Sequence, residues 1–413
     1  MYSSSFEGFN FEGKFWNTSY GKQMIWIIIS VSVGSFILLI EGSLIQNSSY
    51  LLYIIVCIFL IVVLFMPPVK GVSSWFQFGG FSIQPSEFAK LATSLAFARF
   101  LSNINTRFQD YRTRIKAGCL VILPSILIIL QPDAGTMLVF IGFVFVLYRE
   151  GLSGNFLLFG LFAVLIATIG IFLKASNYNL YLGTWKISGN LFFGFILILG
   201  FVFSFLIIRY FVLPRFRKQR YYQLIIVSFI GIFISLSVNY IYDNLFKDRH
   251  RNRFQIMFGL KEDRTGVGYN IYQALSAIGS GEALGKGYLK GTLSNDIYKH
   301  VPEQSTDFIF CVLAEEWGFL GSFVLILLYL SIMVRMIMIS ERQRSKYTRI
   351  YGYCIVSILF FHFMINLGMV IGLAPVIGIP LPFFSKGGSA ILTFSIMFFI
   401  LLRLDAERKV VLR

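Results

Sequence analysis

VPEQSTDFIFCVLAEEWGFLGSFVLILLYL, residues 301–330, opens with two acids in polar sequence and then turns apolar, a run that continues to residue 338. An apolar helix crosses a bilayer in about 20 residues, so this reads as a membrane span with Asp307 at its lip. The rest of the chain agrees. Of its 413 residues, 56% are hydrophobic and 14% charged, with a mean hydropathy of +0.73, far from the range of soluble domains. Further apolar segments of spanning type fall at 24–40, 50–66, 86–101, 117–130, 135–148, 155–173, 190–210, 222–240, 351–372 and 388–404. The expected fold class is all-α: a polytopic membrane protein of about eleven transmembrane helices with one large extracytoplasmic loop.

The formal charge of +16 is spread in short clusters between apolar runs, which argues for topology and against a nucleic-acid surface. Lys and Arg favour the cytoplasmic side in short loops. The clusters NTRFQDYRTRIK (105–116), PRFRKQR (214–220), ERQRSKYTR (341–349) and RLDAERKVVLR (403–413) all fall on one side when eleven crossings are counted. The segments 1–23, 67–85, 131–134, 174–189, 241–306 and 373–387 then lie outside. The expected organisation is an extracytoplasmic segment 1–23, a membrane domain 24–404 that includes the large loop 241–306, and a cytoplasmic basic tail 405–413. An outside amino terminus without a leading signal hints at one preceding helix missing. Cys57, Cys119, Cys311 and Cys354 lack metal or disulfide spacing and read as packing residues. The glycines of GVGYNIYQALSAIGSGEALGKGYLKGT (266–292) lack the Gly-Lys-Ser/Thr ending of a phosphate-binding loop.

A charge near the bilayer centre costs about 2.5–3.5 kcal/mol, so the few ionisable residues inside apolar segments are functional candidates. Glu87 and Lys90, three apart in QPSEFAK, share a helix face and either neutralise each other or serve a site. Arg99, further along, reads as a snorkelling anchor. Asp133 in QPDAGT is a helix N-cap or a site residue, and Asp307 or Thr306 has the same capping alternative. Glu315 and Glu316 read equally as structural acceptors or catalytic groups. His362 and Asn366, at i and i+4, read as interhelical glue. Topology gathers Glu87, Lys90, Asp133 and Asp307 at the outer ends of helices, an arrangement suited to a lipid-linked substrate with a charged head group.

QPSEFAKL, QPDAGT, YQALSAIGSGEALGKGYLKGT, VPEQSTDFIFCVLAEEWGFLG and INLGMVIGLAPVIGIPLPFFSKGGSA, in that order, resemble the SEDS (shape, elongation, division, sporulation) proteins. GIPLPFFS and GKGYLKGT are more similar to the elongation branch than to the division branch, which tends to carry threonine before its LP. The resemblance implies a peptidoglycan glycosyltransferase of the cytoplasmic membrane that polymerises lipid II on the outer face alongside a class B penicillin-binding protein. It implies that Asp307 is the catalytic aspartate and that Glu87 and Lys90 are the family's glutamate and lysine; with Asp133, which the topology places beside them, Glu87 and Lys90 are the candidate substrate-binding residues. The chain departs from the pattern at Ser74, where an arginine is usual, at Ser305 for histidine, and at Lys386 for tyrosine; Lys386 offers a substitute cation for the diphosphate. The family core has three helices before QPSE where this chain has two, and this chain has two more in 190–240.

Such a transfer joins a sugar hydroxyl to an anomeric carbon and displaces a polyprenyl diphosphate with inversion. It needs a base, for which Asp307 is the candidate, and preorganised positive charge at the leaving group, for which Lys90 oriented by Glu87 is the candidate. A divalent cation, Mg or Mn, would suit oxygen ligands, but no residues fix a metal site. The competing readings are a flippase for lipid-linked precursors, which would carry midplane charges and inverted repeats, and a non-catalytic scaffold for the penicillin-binding protein.

Overall fold

The computed structural model describes residues 18–67, 73–78, 81–103, 110–182, 185–246, 248–261, 267–293 and 304–408. Every apolar segment identified above is helical. In chain order the helices are α1 (Ser19–Ile37), α2 (Gly42–Asn47), α3 (Ser49–Val63), α4 (Pro85–Ser102), α5 (Tyr111–Leu130), α6 (Ala134–Val139), α7 (Phe143–Arg149), α8 (Gly154–Ala175), α9 (Gly189–Phe211) and α10 (Pro214–Tyr240). There follow α11 (Asp248–Met257), α12 (Val267–Ser280), α13 (Ile309–Glu341), α14 (Lys346–Val370) and α15 (Gly388–Ala406). Among the described residues, 8 helices are long and apolar enough to cross a membrane. The remaining three expected spans are α3, which is short, the α6–α7 pair, which is interrupted by a 3-10 turn at Phe140–Gly142, and α4, which carries Glu87, Lys90 and Arg99.

Two short antiparallel hairpins join the all-α frame. β1 (Phe76–Phe78) pairs with β2 (Phe81–Ile83), and β3 (Asn179–Leu182) pairs with β4 (Trp185–Ser188). The segment 241–306, expected as a glycine-rich loop, contains α11 and α12. Polar content and glycine density hid them, although Ile271, Ala274 and Ala277 recur at helical spacing and are all buried.

The chain forms two units, residues 1–152 with 270–413, and residues 153–269. In the first, α4 is the central helix, in contact with α3, α5, α14 and α15. Its low apolarity is explained by that position, because its neighbours are protein rather than lipid. Lipid tails are as apolar as leucine, so helices in a bilayer associate through close packing and interhelical hydrogen bonds. Both are present. Phe97 of α4 packs edge-on against Phe143 of α7 at 5.3 Å. The Tyr53 hydroxyl donates to the Leu120 carbonyl at 2.9 Å, Gln131 to Leu60 at 3.0 Å, and Tyr351 to Met397 at 3.1 Å. In the second unit α10 packs on α8 and α9. Asn190 bonds Asn239 across α9 and α10 at 2.6 Å, and Lys174 pairs with Asp243 at 2.8 Å.

Candidate active site at the Asp307 end of the bundle

Pro85 occupies the first turn of α4, where its missing N–H costs nothing, and fixes where the helix begins. One turn of helix then brings Lys90 under Glu87, and the Lys90 ammonium donates to Glu87 Oε2 at 2.8 Å. A second partner comes from α14: Lys90 Nζ lies 2.7 Å from His362 Nε2. An ammonium has only donors, so Nε2 accepts, and the Nδ1–H is directed at the Pro380 carbonyl at 3.2 Å. Lys90 is 0% exposed, Glu87 2% and His362 1%. Lys90, expected to face the diphosphate, and Glu87, expected to orient it, bond each other, and Lys90 also meets His362, all three buried. The Phe394 ring closes the pocket, 5.2 Å from the ammonium.

Asp133 caps α6, accepting from the Thr136 amide at 3.1 Å and hydroxyl at 2.8 Å. The same carboxylate accepts from Gln84 at 2.8 Å and Ser86 at 3.2 Å, which buckles the start of α4 to the start of α6. Asp133 is thus the cap that the sequence offered as one alternative, and it stands beside the turn that carries Glu87 and Lys90.

Asp307 lies half-buried in a turn spanning 304–308. The N-cap position of α13 falls on Phe308, one residue later. Asn366 of α14 donates to the Asp307 backbone carbonyl at 2.9 Å and to the Ile379 carbonyl at 2.7 Å. Beside the carboxylate stands Gly378, with φ +83; a Cβ there would come within 3.2 Å of Asp307 Oδ2. A side chain at 378 would meet both backbone strain and the carboxylate.

The segment between α14 and α15 binds these parts together. Besides the contacts at Ile379 and Pro380, the Tyr329 hydroxyl donates to the Pro382 carbonyl. Ser385 donates to the Thr306 carbonyl at 2.5 Å, and the Lys386 amide to the Ser305 carbonyl at 2.8 Å. Lys386 itself is half-buried. Ser389 links the segment to the hairpin, accepting from the Gln84 amide at 3.1 Å and donating to Ser82 at 3.2 Å. The structure thus gathers Glu87, Lys90, Asp133, Asp307 and Lys386 around one connection at one end of the first unit. It adds His362 and Asn366, whose role as glue is played within the site; two polar side chains one turn apart in an apolar helix were the available signal.

Glu315 and Glu316 serve the neighbouring loop. Glu315 Oε1 accepts from the Lys286 ammonium at 2.7 Å, the Thr292 amide at 2.8 Å and the Leu293 amide at 3.0 Å, and Glu316 accepts from the Leu289 amide at 3.2 Å. Their structural reading holds. A protein-held divalent ion needs several oxygen ligands in one place. Among the described residues, no three His, Cys, Asp or Glu side chains come together as such a set.

Comparison with known proteins shows the family. The family model described as Cell cycle protein (FTSW_RODA_SPOVE) matches residues 1–186 and 222–410; all of α9 and the start of α10 fall in the gap. Over 417 residues the chain is 30% identical to peptidoglycan glycosyltransferase RodA of Treponema pallidum (strain Nichols), with 99% of this chain and 94% of the relative covered. It is 33% identical over 358 residues to peptidoglycan glycosyltransferase MrdB of Escherichia coli (strain K12), covering 86% and 77%. A solved chain from work on the structural coordination of polymerization and crosslinking by a peptidoglycan synthase complex superposes with a TM-score of 0.66 at 23% identity, covering 94% of this chain and 89% of that one. The Thermus thermophilus rod shape determining protein RodA superposes with a TM-score of 0.54 at 20% identity, covering 94% and 87%. At such identities the two structures speak for the fold. The chain belongs to the FtsW/RodA/SpoVE family, the SEDS proteins, and is RodA-like.

Proposed function

We infer that the protein is a RodA-type peptidoglycan glycosyltransferase that polymerises lipid II at the outer face of the cytoplasmic membrane. The observation that carries the reading is the convergence of Asp307, Lys386 and the buried Glu87–Lys90 pair on the single 378–389 connection, in a chain related to named glycosyltransferases. In the transfer, a sugar hydroxyl oxygen bonds to the anomeric carbon of a second molecule while the bond from that carbon to the polyprenyl diphosphate breaks, and configuration inverts. Asp307 takes the hydroxyl proton. A general base of this kind contributes about 10²–10⁴-fold. The diphosphate leaves with extra negative charge, which Lys386, the half-exposed cation of the group, faces and stabilises. Lys90 and Glu87, being buried, act by fixing the connection on which Asp307 and Lys386 are held, and Asp133 fixes the start of α4 that carries them.

The test is polymerisation of lipid II by the purified protein, with and without a class B penicillin-binding protein. Glycan strands are expected in both cases. A flippase or scaffold gives none.

The partner's membrane helix is assigned to the exposed apolar face of α13, which includes Phe319, Phe323, Leu327, Leu328 and Val334. The buried face of α14 lies against α4 and α13, and Phe360 and Met364 are its exposed large apolar side chains. Photocrosslinkers at Phe323 and Leu328 are expected to capture the partner; capture at 24–66 instead contradicts this placement.

A further inference from the structure

His362 and Asn366 stand one turn apart on α14, both buried. Each bonds a carbonyl of the connection on one side and a second group on the other. His362 holds Lys90 with one ring nitrogen and the Pro380 carbonyl with the other. Asn366 uses its amide nitrogen for the Asp307 carbonyl and the Ile379 carbonyl. The two side chains therefore grip consecutive carbonyls of the same connection, and on their far sides they hold the buried cation and the backbone of the candidate base. Residues four apart on a helix keep a fixed separation, so this pair is a ruler.

We propose that His362 and Asn366 are positioning residues for glycosyl transfer: together they set where the Asp307 carboxylate stands relative to the Glu87–Lys90 pair and to the connection that carries Lys386. Neither touches substrate in this account. The inference rests on the reading of Asp307 as the base.

The physical content is that a rigid helix, rather than the loop itself, fixes the spacing. A connection as glycine-rich as 372–388 would otherwise sample many conformations, whereas catalytic groups displaced by about 1 Å lose about 100-fold in rate. Losing either grip frees the connection at that point, and losing the second then adds little, because both act on the same segment.

The test is steady-state polymerisation of lipid II by purified, monodisperse variants. His362→Leu and Asn366→Ala are each expected to lower kcat by about 100-fold while KM stays within about threefold, the split expected when the geometry of the transition state is lost and ground-state binding is kept. His362→Gln, which restores an acceptor for Lys90, recovers most of kcat, and the double variant falls no further than the worse single one. Wild-type kcat in both single variants, a change in KM alone, or His362→Gln as impaired as His362→Leu overturns the proposal. Should His362→Leu fail to fold, His362→Gln is compared with His362→Asn, which reaches Pro380 but not Lys90; equal kcat in those two is equally fatal. Failure of the underlying reading looks different: wild type then makes no polymer, or Asp307→Asn makes as much as wild type.

Discussion

Lys90 has no exposure to solvent, and a lone ammonium in such a place is untenable; Glu87 at 2.8 Å makes it tolerable. Removing one member of a buried pair costs about 3–5 kcal/mol, because the other is left uncompensated. Glu87→Gln is therefore expected to destabilise the protein strongly, and Glu87→Gln combined with Lys90→Met far less, in thermal unfolding of the detergent-solubilised protein. Equal stability of the single and double variants would show that the pair is not what keeps Lys90 in place. This pairing was legible in the sequence, because i and i+3 is a local relation. The third member was not: His362 lies 272 positions away, and only the fold brings α14 against α4. Asp133 was half legible, its capping alternative resting on the local spacing to Thr136 while its bonds to Gln84 and Ser86 depend on tertiary contact.

Among the elements, α13 shows how a helix is broken to hold a loop. At Gly318 the backbone leaves helical geometry, with φ 62 and ψ −159. Through that break the amides of Lys286 and Gly287 reach the carbonyls of Glu315 and Glu316, while those of Phe319 and Leu320 reach Glu282 and Ala283. Gly285, at φ +81, sits so close that a Cβ would lie 2.2 Å from the Glu316 carbonyl oxygen. Gly285→Ala is expected to cost more than about 1 kcal/mol, since neither the conformation nor the space admits a methyl group. Limited proteolysis should then cut within 281–293 faster than in wild type; unchanged cleavage would mean that the docking is not held by this contact. In the sequence the glycines announced a turn-rich segment, but not its partner, because carboxylates inside an apolar run give no hint of which amides they accept from. The amphipathic α12 was obscured by the same glycines.

For the molecule as a whole, apolar length was the most legible property: each segment expected to span is a helix, and α4, the expected span that carries Glu87, Lys90 and Arg99, is enclosed by other helices. Sidedness rests on the basic clusters, and it predicts that the loop 281–293 is outside and the turn between α13 and α14 inside. With the four native cysteines replaced, Leu284→Cys, 79% exposed, should react with an impermeant thiol reagent on intact cells, and Ser345→Cys should react only after permeabilisation; the reverse pattern inverts the topology. In the proposed mechanism the activity turns on Asp307 as the base, and its substitution is the most direct test. Asp307→Asn keeps size, and the bond from Asn366 reaches the backbone carbonyl, so it survives the change; the N-cap of α13 lies on Phe308. Folding should therefore be preserved. Loss of a general base raises the barrier by about 3–5 kcal/mol, the equivalent of 10²–10⁴-fold. With purified protein and lipid II, a folded Asp307→Asn variant is expected to make almost no glycan strand; polymerisation by that variant at near the wild-type rate would overturn the assignment of Asp307 as the base and turn the search to Glu303, Asp133 or Glu87.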